Sequence, residues 1–228
     1  MKSLLKLFKG SPKRKKYSRI PKFNLASAAR LLYQKELMGY IRSVPGDIVE
    51  CGVGEGDSFI GWAMALFLEK ASPPRHLWGF DSFDGFPEPT AEDLRTSGQS
   101  CVQKNDAAVP LGVTLKKLTY VGLPAEWTQK NITFIKGYFD TSLKKYAGDK
   151  IALLHIDVDL YQSYKTVLSA LYDKVVPGGV VAVDEYAAQM DAVKWPGAKK
   201  AIDEFFSGKP ATLVKHNDHG KYYLIKPA

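Results

Sequence analysis

The chain has 228 residues, of which 45% are hydrophobic and 25% are charged, which suits one globular domain and excludes collagen-like and disordered chains. Its two cysteines, Cys51 and Cys101, form no CxxC pair, which excludes a disulfide scaffold and a thiolate zinc site and predicts reduced thiols in a cytoplasmic protein. The net charge of +8 does not indicate nucleic-acid binding, because nine basic and no acidic residues lie within residues 1–22, which leaves about −1 for residues 23–228.

We therefore predict a basic N-terminal arm, residues 1–22, followed by a single domain, residues 23–228. The arm begins MKSLLKLFKG, an apolar run that is too short to span a bilayer or to act as a secretory signal. We favour a solvated or partner-docked tail. The alternative is weak contact with an anionic membrane surface.

Helical and strand patterns then alternate along the domain. Apolar spacing near 3.6 residues predicts helices over 23–41, 58–68, 163–175 and 196–206. Short apolar runs predict strands over 47–51, 76–80, 131–136, 151–157, 180–183, 212–215 and 222–225. This order predicts an α/β, Rossmann-like fold: a mostly parallel seven-stranded sheet with helices on both faces and an antiparallel C-terminal hairpin strand.

Residues 82–130 form a long polar stretch dotted with proline and glycine, to which we assign no helix or strand before residue 131. A connection of this length inside a compact domain is usually functional. We interpret residues 88–130 as an insertion or lid.

The first chemical motif is E-x-G-x-G-x-G over residues 50–56, where the first strand meets a helix. Nucleotide-like ligands bind at this turn in doubly wound sheets, and glycines let the backbone approach them closely. Asp57 stands where the dinucleotide fingerprint GxGxxG has its third glycine, and the observed spacing is typical of methyltransferases. A purely structural glycine-rich turn is the alternative.

The cofactor predicted here is S-adenosylmethionine. Its amino-acid end needs an acid for the ammonium group, supplied indirectly by Glu50, and donors for the carboxylate, supplied by Ser58 and the loop amides. Asp81, which ends the second strand, is placed to accept hydrogen bonds from ribose hydroxyls, although a turn aspartate is the alternative. The remaining predicted contacts in these two turns are Gly52, Val53, Gly54, Glu55 and Ser82.

Four acids follow two neighbouring strands: Asp157 and Asp159 on one, Asp184 and Glu185 on the next. Residues i and i+2 of a strand share a face, so these side chains should converge at one edge of the sheet. Clustered carboxylates raise each other's pKa unless a cation lies among them, and all-oxygen ligation suits Mg²⁺ or another hard divalent cation. Solvated acids that cap strand ends are the alternative.

A divalent cation at this edge would explain the methylation of a hydroxyl, because coordination lowers the pKa of an alcohol and fixes its oxygen. Asp159 is the candidate general base. His155 is predicted to be a buried histidine behind the acids, and His216 and His219 to be exposed in a terminal turn. Trp195 is interpreted as a core residue, with a sugar-binding platform as the alternative.

Five segments, in chain order, resemble the macrocin O-methyltransferase family: IVECGVGEGDSF, WGFDSFDGFPEP, LLHIDVDLYQS, PGGVVAVDEY and PGAKKAIDEFF. The resemblance covers residues 25–228 approximately. It implies a class I methyltransferase fold, S-adenosylmethionine and Mg²⁺ as cofactors, and a sugar hydroxyl as acceptor in antibiotic or related biosynthesis. It also implies a homo-oligomer.

By position, the resemblance implies that Asp157, Asp184 and Glu185 ligate the metal and that Asp159 is the general base. Glu185 stands where the family usually has the second aspartate of a DD pair. Glutamate is one methylene longer, so direct ligation, water-mediated ligation and no ligation all remain open.

The resemblance further implies that Gly137 and Phe139 lie near the adenine. The acceptor is then a small molecule or glycan and not a nucleic acid. The alternatives are a catechol-type O-methyltransferase acting on a vicinal phenol and a non-catalytic nucleotide-binding scaffold; the DSFDGFP and DVDLY segments favour a sugar.

Overall fold

The computed structural model describes residues 24–69, 74–186 and 193–227; the basic arm lies outside the described residues. The helices are α1 (Leu25–Tyr40), α2 (Asp57–Glu69), α3 (Leu111–Tyr120), α4 (Ala125–Asn131), α5 (Phe139–Ser142), α6 (Tyr161–Leu171) and α7 (Pro196–Phe206). The strands are β1 (Asp47–Cys51), β2 (Leu77–Asp81), β3 (Ile132–Lys136), β4 (Ile151–Ile156), β5 (Val175–Val183), β6 (Val214–Lys215) and β7 (Tyr222–Ile225). Single 3₁₀ turns cover Ala91–Asp93, Leu143–Lys145 and Tyr172–Lys174.

The strands form one seven-stranded sheet in the order β3-β2-β1-β4-β5-β7-β6. Strands β1 to β5 are parallel, β7 runs antiparallel to β5, and β6 runs antiparallel to β7. The predicted sheet and its C-terminal hairpin are therefore confirmed. The chain order reverses between β1 and β4, which is where open α/β sheets bind ligands beyond the carboxyl ends of their strands.

Helices cover both faces of the sheet, because the central strands are apolar on both sides. Strand β4 is buried along its whole length. One face packs against α6 and α7, through residues such as Leu168 and Ile202. The other face packs against α1 and α2, through residues such as Leu37 and Trp62. Within the described ranges, no helix is both long enough and apolar enough to cross a membrane.

The helix predicted over 163–175 is wrong at its C-terminal end. Helix α6 ends at Leu171, and Val175 already pairs with Ile151 as the first residue of β5. The Pro-Gly-Gly segment lies within β5, where a register shift against β4 accommodates it, and Gly178 has a φ of +79°. The strand therefore begins five residues earlier than its apolar run indicates.

Residues 82–130 also contain more regular structure than predicted, namely α3, a 3₁₀ turn and most of α4. Helix α4 ends at Asn131, so the third strand begins one residue later than its apolar run indicates. Helix α3 buries only Thr114 and Leu118. The Thr114 hydroxyl donates a hydrogen bond of 3.2 Å to the carbonyl oxygen of Gly54. Because α3 buries only two residues, its sequence shows little apolar periodicity. The hydrogen bond of Thr114 nevertheless places α3 directly against the glycine-rich loop.

Candidate active site

A cavity of about 840 Å³ lies beyond the carboxyl ends of the central strands. Its volume is within the range of about 300–1,000 Å³ that is usual for small-molecule sites. Most of the predicted site residues line it: Gly52, Val53, Gly54, Glu55, Ser58, Asp81, Ser82, Phe139, Asp157, Asp159 and Asp184. Glu50, Gly137 and Glu185 are not part of its wall.

The loop after β1 depends on glycine conformations. Gly52, Gly54 and Gly56 have φ values of +90°, +50° and +85°, a region that side chains disfavour. A Cβ atom on Gly52 would lie 1.7 Å from the carbonyl oxygen of Asp157. The backbone of Asp157 in turn donates a hydrogen bond of 2.9 Å to the Cys51 carbonyl. The loop and the acid motif are therefore in direct backbone contact.

We expect Gly52→Ala to lower the free energy of unfolding by about 2–4 kcal/mol, because the new Cβ atom overlaps backbone and the φ angle is unfavourable. Chemical denaturation measures the change. Gly39→Ala is the matched control, because a Cβ on Gly39 in α1 meets no atom within 4 Å. That control should be neutral or slightly stabilising. Equal stability of the two variants would contradict the close approach.

Asp81 stabilises both the glycine-rich loop after β1 and the turn after β2. Its Oδ2 accepts a hydrogen bond of 2.8 Å from the Gly54 N–H, and its Oδ1 accepts one of 2.6 Å from the Phe83 N–H. The backbone N–H of Gly137 donates to the carbonyl of Asp81 at 2.9 Å. Each carboxylate oxygen retains acceptor capacity toward the cavity. The turn-forming role and the predicted ribose-binding role are thus compatible.

Glu50 lies behind the cavity and is fully buried. Its Oε1 is 3.5 Å from Nδ1 of His155, and no described group hydrogen-bonds its carboxyl oxygens. Burial raises the pKa of Glu50, and His155 offsets part of that rise. His155 itself is buried at the cavity wall, as predicted. Glu50 therefore faces the cavity only indirectly, through His155, whose Nδ1 also lies 3.4 Å from the Ser58 hydroxyl.

The predicted acid cluster is present. One carboxylate oxygen from each of Asp157, Asp184 and Glu185 lies within 4.8 Å of the others. Asp159 stands outside this triad, and its backbone N–H donates to Oε2 of Glu185 at 3.2 Å. The sequence predicts that Asp159 faces the cavity as residue i+2 of a strand that includes Asp157. The strand β4 in fact ends at Ile156, and Asp159 has a φ of +60°. A turn, not a strand, therefore presents Asp157 and Asp159 to the cavity.

The cluster concentrates acidic groups at a partly buried place, since Glu185 is buried and Asp157 and Asp184 are partly buried. Burial, followed by the charge of a neighbouring acid, raises the pKa of Asp157 and of Glu185. Burial acts on Asp184 in the same way, but Lys221 and His155 outweigh it and lower the pKa of Asp184. Nζ of Lys221 lies 2.7 Å from Oδ2 of Asp184. Hard oxygen ligands with unbalanced charge fit a divalent cation.

Tyr164, which the sequence motifs do not indicate, orients Glu185. The Tyr164 hydroxyl lies 2.8 Å from Oε2 of Glu185 and accepts a hydrogen bond of 3.3 Å from the Glu185 N–H. It also lies 3.0 Å from the carbonyl of Ile156. Tyr164 occupies an apolar position of α6 and is fully buried. Its spacing in the sequence therefore indicated only a core residue.

The sequence profile of the Macrocin-O-methyltransferase (TylF) family matches residues 13–211 of this chain. The chain belongs to the macrocin O-methyltransferase family. The resemblance seen in the motifs is thus confirmed, and the match extends into the basic arm that the motifs had left outside.

Two curated O-methyltransferases illustrate what the chain is similar to. An 8-demethyl-8-(2,3-dimethoxy-alpha-L-rhamnosyl)-tetracenomycin-C 4'-O-methyltransferase of Streptomyces olivaceus is 32% identical over 154 residues, 66% of this chain and 57% of that protein. The mycinamicin III 3''-O-methyltransferase of Micromonospora griseorubida is 27% identical over 186 residues, 79% of this chain and 68% of that protein. The chain thus spans little more than half of the first relative.

Solved methyltransferase structures share the fold. The O-methyltransferase NovP superposes with a TM-score of 0.70 at 27% identity, covering 88% of this chain and 80% of NovP. The calicheamicin methyltransferase CalS11 gives 0.71 at 27% identity, covering 87% and 79%. The predicted class I methyltransferase fold is confirmed.

Asp93, in the segment predicted to be an insertion or lid, ties that segment to the first residue of α6. Asp93 is 4% exposed, and its Oδ2 accepts hydrogen bonds from the backbone and hydroxyl of Thr90 at 2.8 and 3.0 Å. Its Oδ1 accepts one of 2.8 Å from the N–H of Tyr161, the first residue of α6. The segment over 85–107 contributes Phe86, among others, to the cavity wall.

The prediction for the two terminal histidines is wrong. His216 is 6% exposed, and its Nε2 lies 3.0 Å from Oε2 of Glu36 on α1. His219 is partly buried and lines the cavity together with Lys221. Trp195 is 8% exposed, packs near Phe86 and lies outside the cavity wall, so the core interpretation holds.

Proposed function

We propose that this protein transfers a methyl group from S-adenosylmethionine to a hydroxyl group of a sugar or a glycosylated small molecule, with a hard divalent cation such as Mg²⁺. The observation that carries the proposal is the shared cavity: the glycine-rich loop and the acid cluster open into one space. A methyl donor held by the first is thereby close to an acceptor oxygen held at the second.

The relatives support a sugar acceptor. The name of the Streptomyces olivaceus protein specifies a rhamnosyl tetracenomycin. CalS11, in a second structure with a TM-score of 0.62, is described as a TDP-rhamnose 3'-O-methyltransferase. A rhamnoside is therefore the first acceptor to test.

The methyl donor would lie along the ends of β1 and β2. The backbone of Gly52 to Gly56 and the Ser58 hydroxyl would receive its amino-acid end, and Asp81 its ribose hydroxyls. Phe139 lines the same cavity and suits the adenine ring. The close glycine turns leave the backbone open to direct contact with the donor.

Asp157, Asp184 and Glu185 would hold the cation, with Tyr164 orienting Glu185. When bound, a divalent cation lowers the pKa of an acceptor hydroxyl and fixes its oxygen for in-line attack. Lys221 keeps Asp184 ionised and hence able to act as a ligand.

Asp159 would take the proton as the acceptor oxygen attacks the methyl carbon and the carbon–sulfur bond breaks. Burial, with the charge of Asp157, raises the pKa of Asp159, which makes its carboxylate a stronger base than an exposed one. The products are a methyl ether, S-adenosylhomocysteine and the proton on Asp159.

Release of S-adenosylhomocysteine from purified protein tests the proposal. The acceptors are methyl α-L-rhamnopyranoside, TDP-rhamnose and catechol, each assayed with Mg²⁺, with EDTA, and with EDTA followed by excess Mg²⁺. We expect turnover of a rhamnoside that EDTA stops and Mg²⁺ restores. Turnover of catechol alone would favour the phenol alternative, and full activity in EDTA would refute the metal requirement.

A further inference from the structure

One wall of the cavity has only one role in the proposed mechanism, the pairing of Lys221 with Asp184. It consists of Arg30, Tyr33 and Gln34 on α1, and of His219 and Lys221 before β7. In the sheet, β7 lies next to β5. The glycine-rich loop, which would receive the methyl donor, follows β1, on the other side of β4. Arg30 and Gln34 contact Asp57 and Ser58 at the start of α2. Tyr33 instead contacts His219 and Tyr223, and Lys221 pairs with Asp184, so this part of the wall lies on the β5 and β7 side of the cavity.

Tyr33 is the unusual member of this wall. The residue is 2% exposed, and its hydroxyl has no hydrogen-bond partner among the described residues. The rings of His216 and His219 each lie 5.0 Å from its ring, which fixes its orientation. An unpaired buried hydroxyl costs free energy, and a ligand hydroxyl in the cavity would remove that cost.

This wall places a hydrogen-bond donor, Tyr33, beside a hydrogen-bond acceptor, His219. Burial and the nearby charge of Asp184 raise the pKa of Tyr33, so its hydroxyl keeps its proton and can donate. Burial lowers the pKa of His219 to about 4, so its imidazole is neutral at pH 7 and retains an acceptor nitrogen. A neutral donor and acceptor at one position suit a hydroxyl group better than a charged group.

We propose that the Tyr33 hydroxyl, with His219 beside it, binds a second hydroxyl of the sugar acceptor and so determines which sugar oxygen reaches the acid cluster. The inference rests on the proposed function. It assigns Tyr33 to the acceptor and not to the methyl donor, because the Tyr33 ring contacts His219 and Tyr223, on the β7 side of the cavity.

Tyr33→Phe tests the inference, since it removes the hydroxyl and keeps the ring. We expect the KM for methyl α-L-rhamnopyranoside to rise about 5- to 10-fold, with a smaller change in kcat. Binding of S-adenosylhomocysteine, measured by calorimetry, should stay within about twofold. The melting temperature should not fall, because the lost hydroxyl has no partner in the protein.

Tyr40→Phe is the matched control on the same helix. The Tyr40 hydroxyl donates to Oε1 of Glu36 at 2.6 Å and lies 3.2 Å from the Tyr223 hydroxyl, and Tyr40 is not part of the cavity wall. Its KM should match that of the unmodified protein.

Deoxy analogues of the rhamnoside complete the test. The analogue that lacks the bound hydroxyl should have equal KM values with the unmodified protein and with Tyr33→Phe. Unchanged KM of Tyr33→Phe for every sugar, or weaker S-adenosylhomocysteine binding with unchanged acceptor KM, would overturn the inference alone. Failure of the unmodified protein to methylate any sugar would overturn the proposed function as well.

Discussion

Asp159→Asn should reduce turnover by at least about 100-fold, the lower range for loss of a general base. An amide cannot take the proton that the acceptor hydroxyl loses. Asparagine is the substitution of choice because it tolerates the left-handed backbone, and Asp159 has a φ of +60°. The backbone N–H that contacts Glu185 is unchanged, so S-adenosylhomocysteine and Mg²⁺ should bind about as in the unmodified protein. Single-turnover kinetics and calorimetry measure the two effects separately.

Asp173→Asn controls for the loss of one carboxylate. Asp173 is an exposed residue of the 3₁₀ turn before β5, remote from the cavity wall. Its variant should keep full activity. If Asp159→Asn also retained most of its turnover, Asp159 would not be the base, and another cavity acid would have to take the proton.

Asp157→Asn should have opposite effects on stability and on metal binding. Asp157 belongs to a partly buried acid triad, in which the charge of Asp184 opposes ionisation of Asp157. Without metal, removing one charge relieves this repulsion, so we expect the free energy of unfolding in EDTA to rise by about 1 kcal/mol and the melting temperature by about 2–4 °C. Turnover should fall at least about 100-fold, because the cation loses a ligand.

Melting curves with and without Mg²⁺ separate the two effects. The unmodified protein should gain stability as Mg²⁺ is added, since a ligand that binds only the folded state stabilises it. Asp157→Asn should gain little over the same range, and Asp173→Asn should behave as the unmodified protein. A variant that is less stable in EDTA yet keeps its response to Mg²⁺ would show that Asp157 is a structural residue.

The features that could be predicted are those that a short stretch of sequence determines. The apolar run of β4, the glycine spacing after β1 and the acid pairs after β4 and β5 each depend on neighbouring residues. The parallel sheet then brings their ends to one edge without further information. The fold, the family and the composition of the acid triad could therefore be derived before any coordinates.

The features that could not be predicted depend on contacts between distant segments. His216 stands in a polar turn that indicates exposure, yet Glu36 on α1, 180 residues earlier, covers it. Tyr164 and Tyr33 occupy helical positions typical of a core, and only the packed structure places the Tyr164 hydroxyl beside Glu185 and Tyr33 in the cavity wall. Val175 continues an apolar helix in the sequence, but pairing with Ile151 makes it a strand residue.

The contact between Gly52 and Asp157 has a thermodynamic consequence. Because the backbones touch, a shift of the acid turn on cation binding also shifts the loop that receives the methyl donor, and the reverse is equally true. Two ligands that act on one shared element change each other's affinity by the same factor. We therefore expect the methyl donor and the cation to bind cooperatively, with a coupling that passes through the hydrogen bond from Asp157 to Cys51.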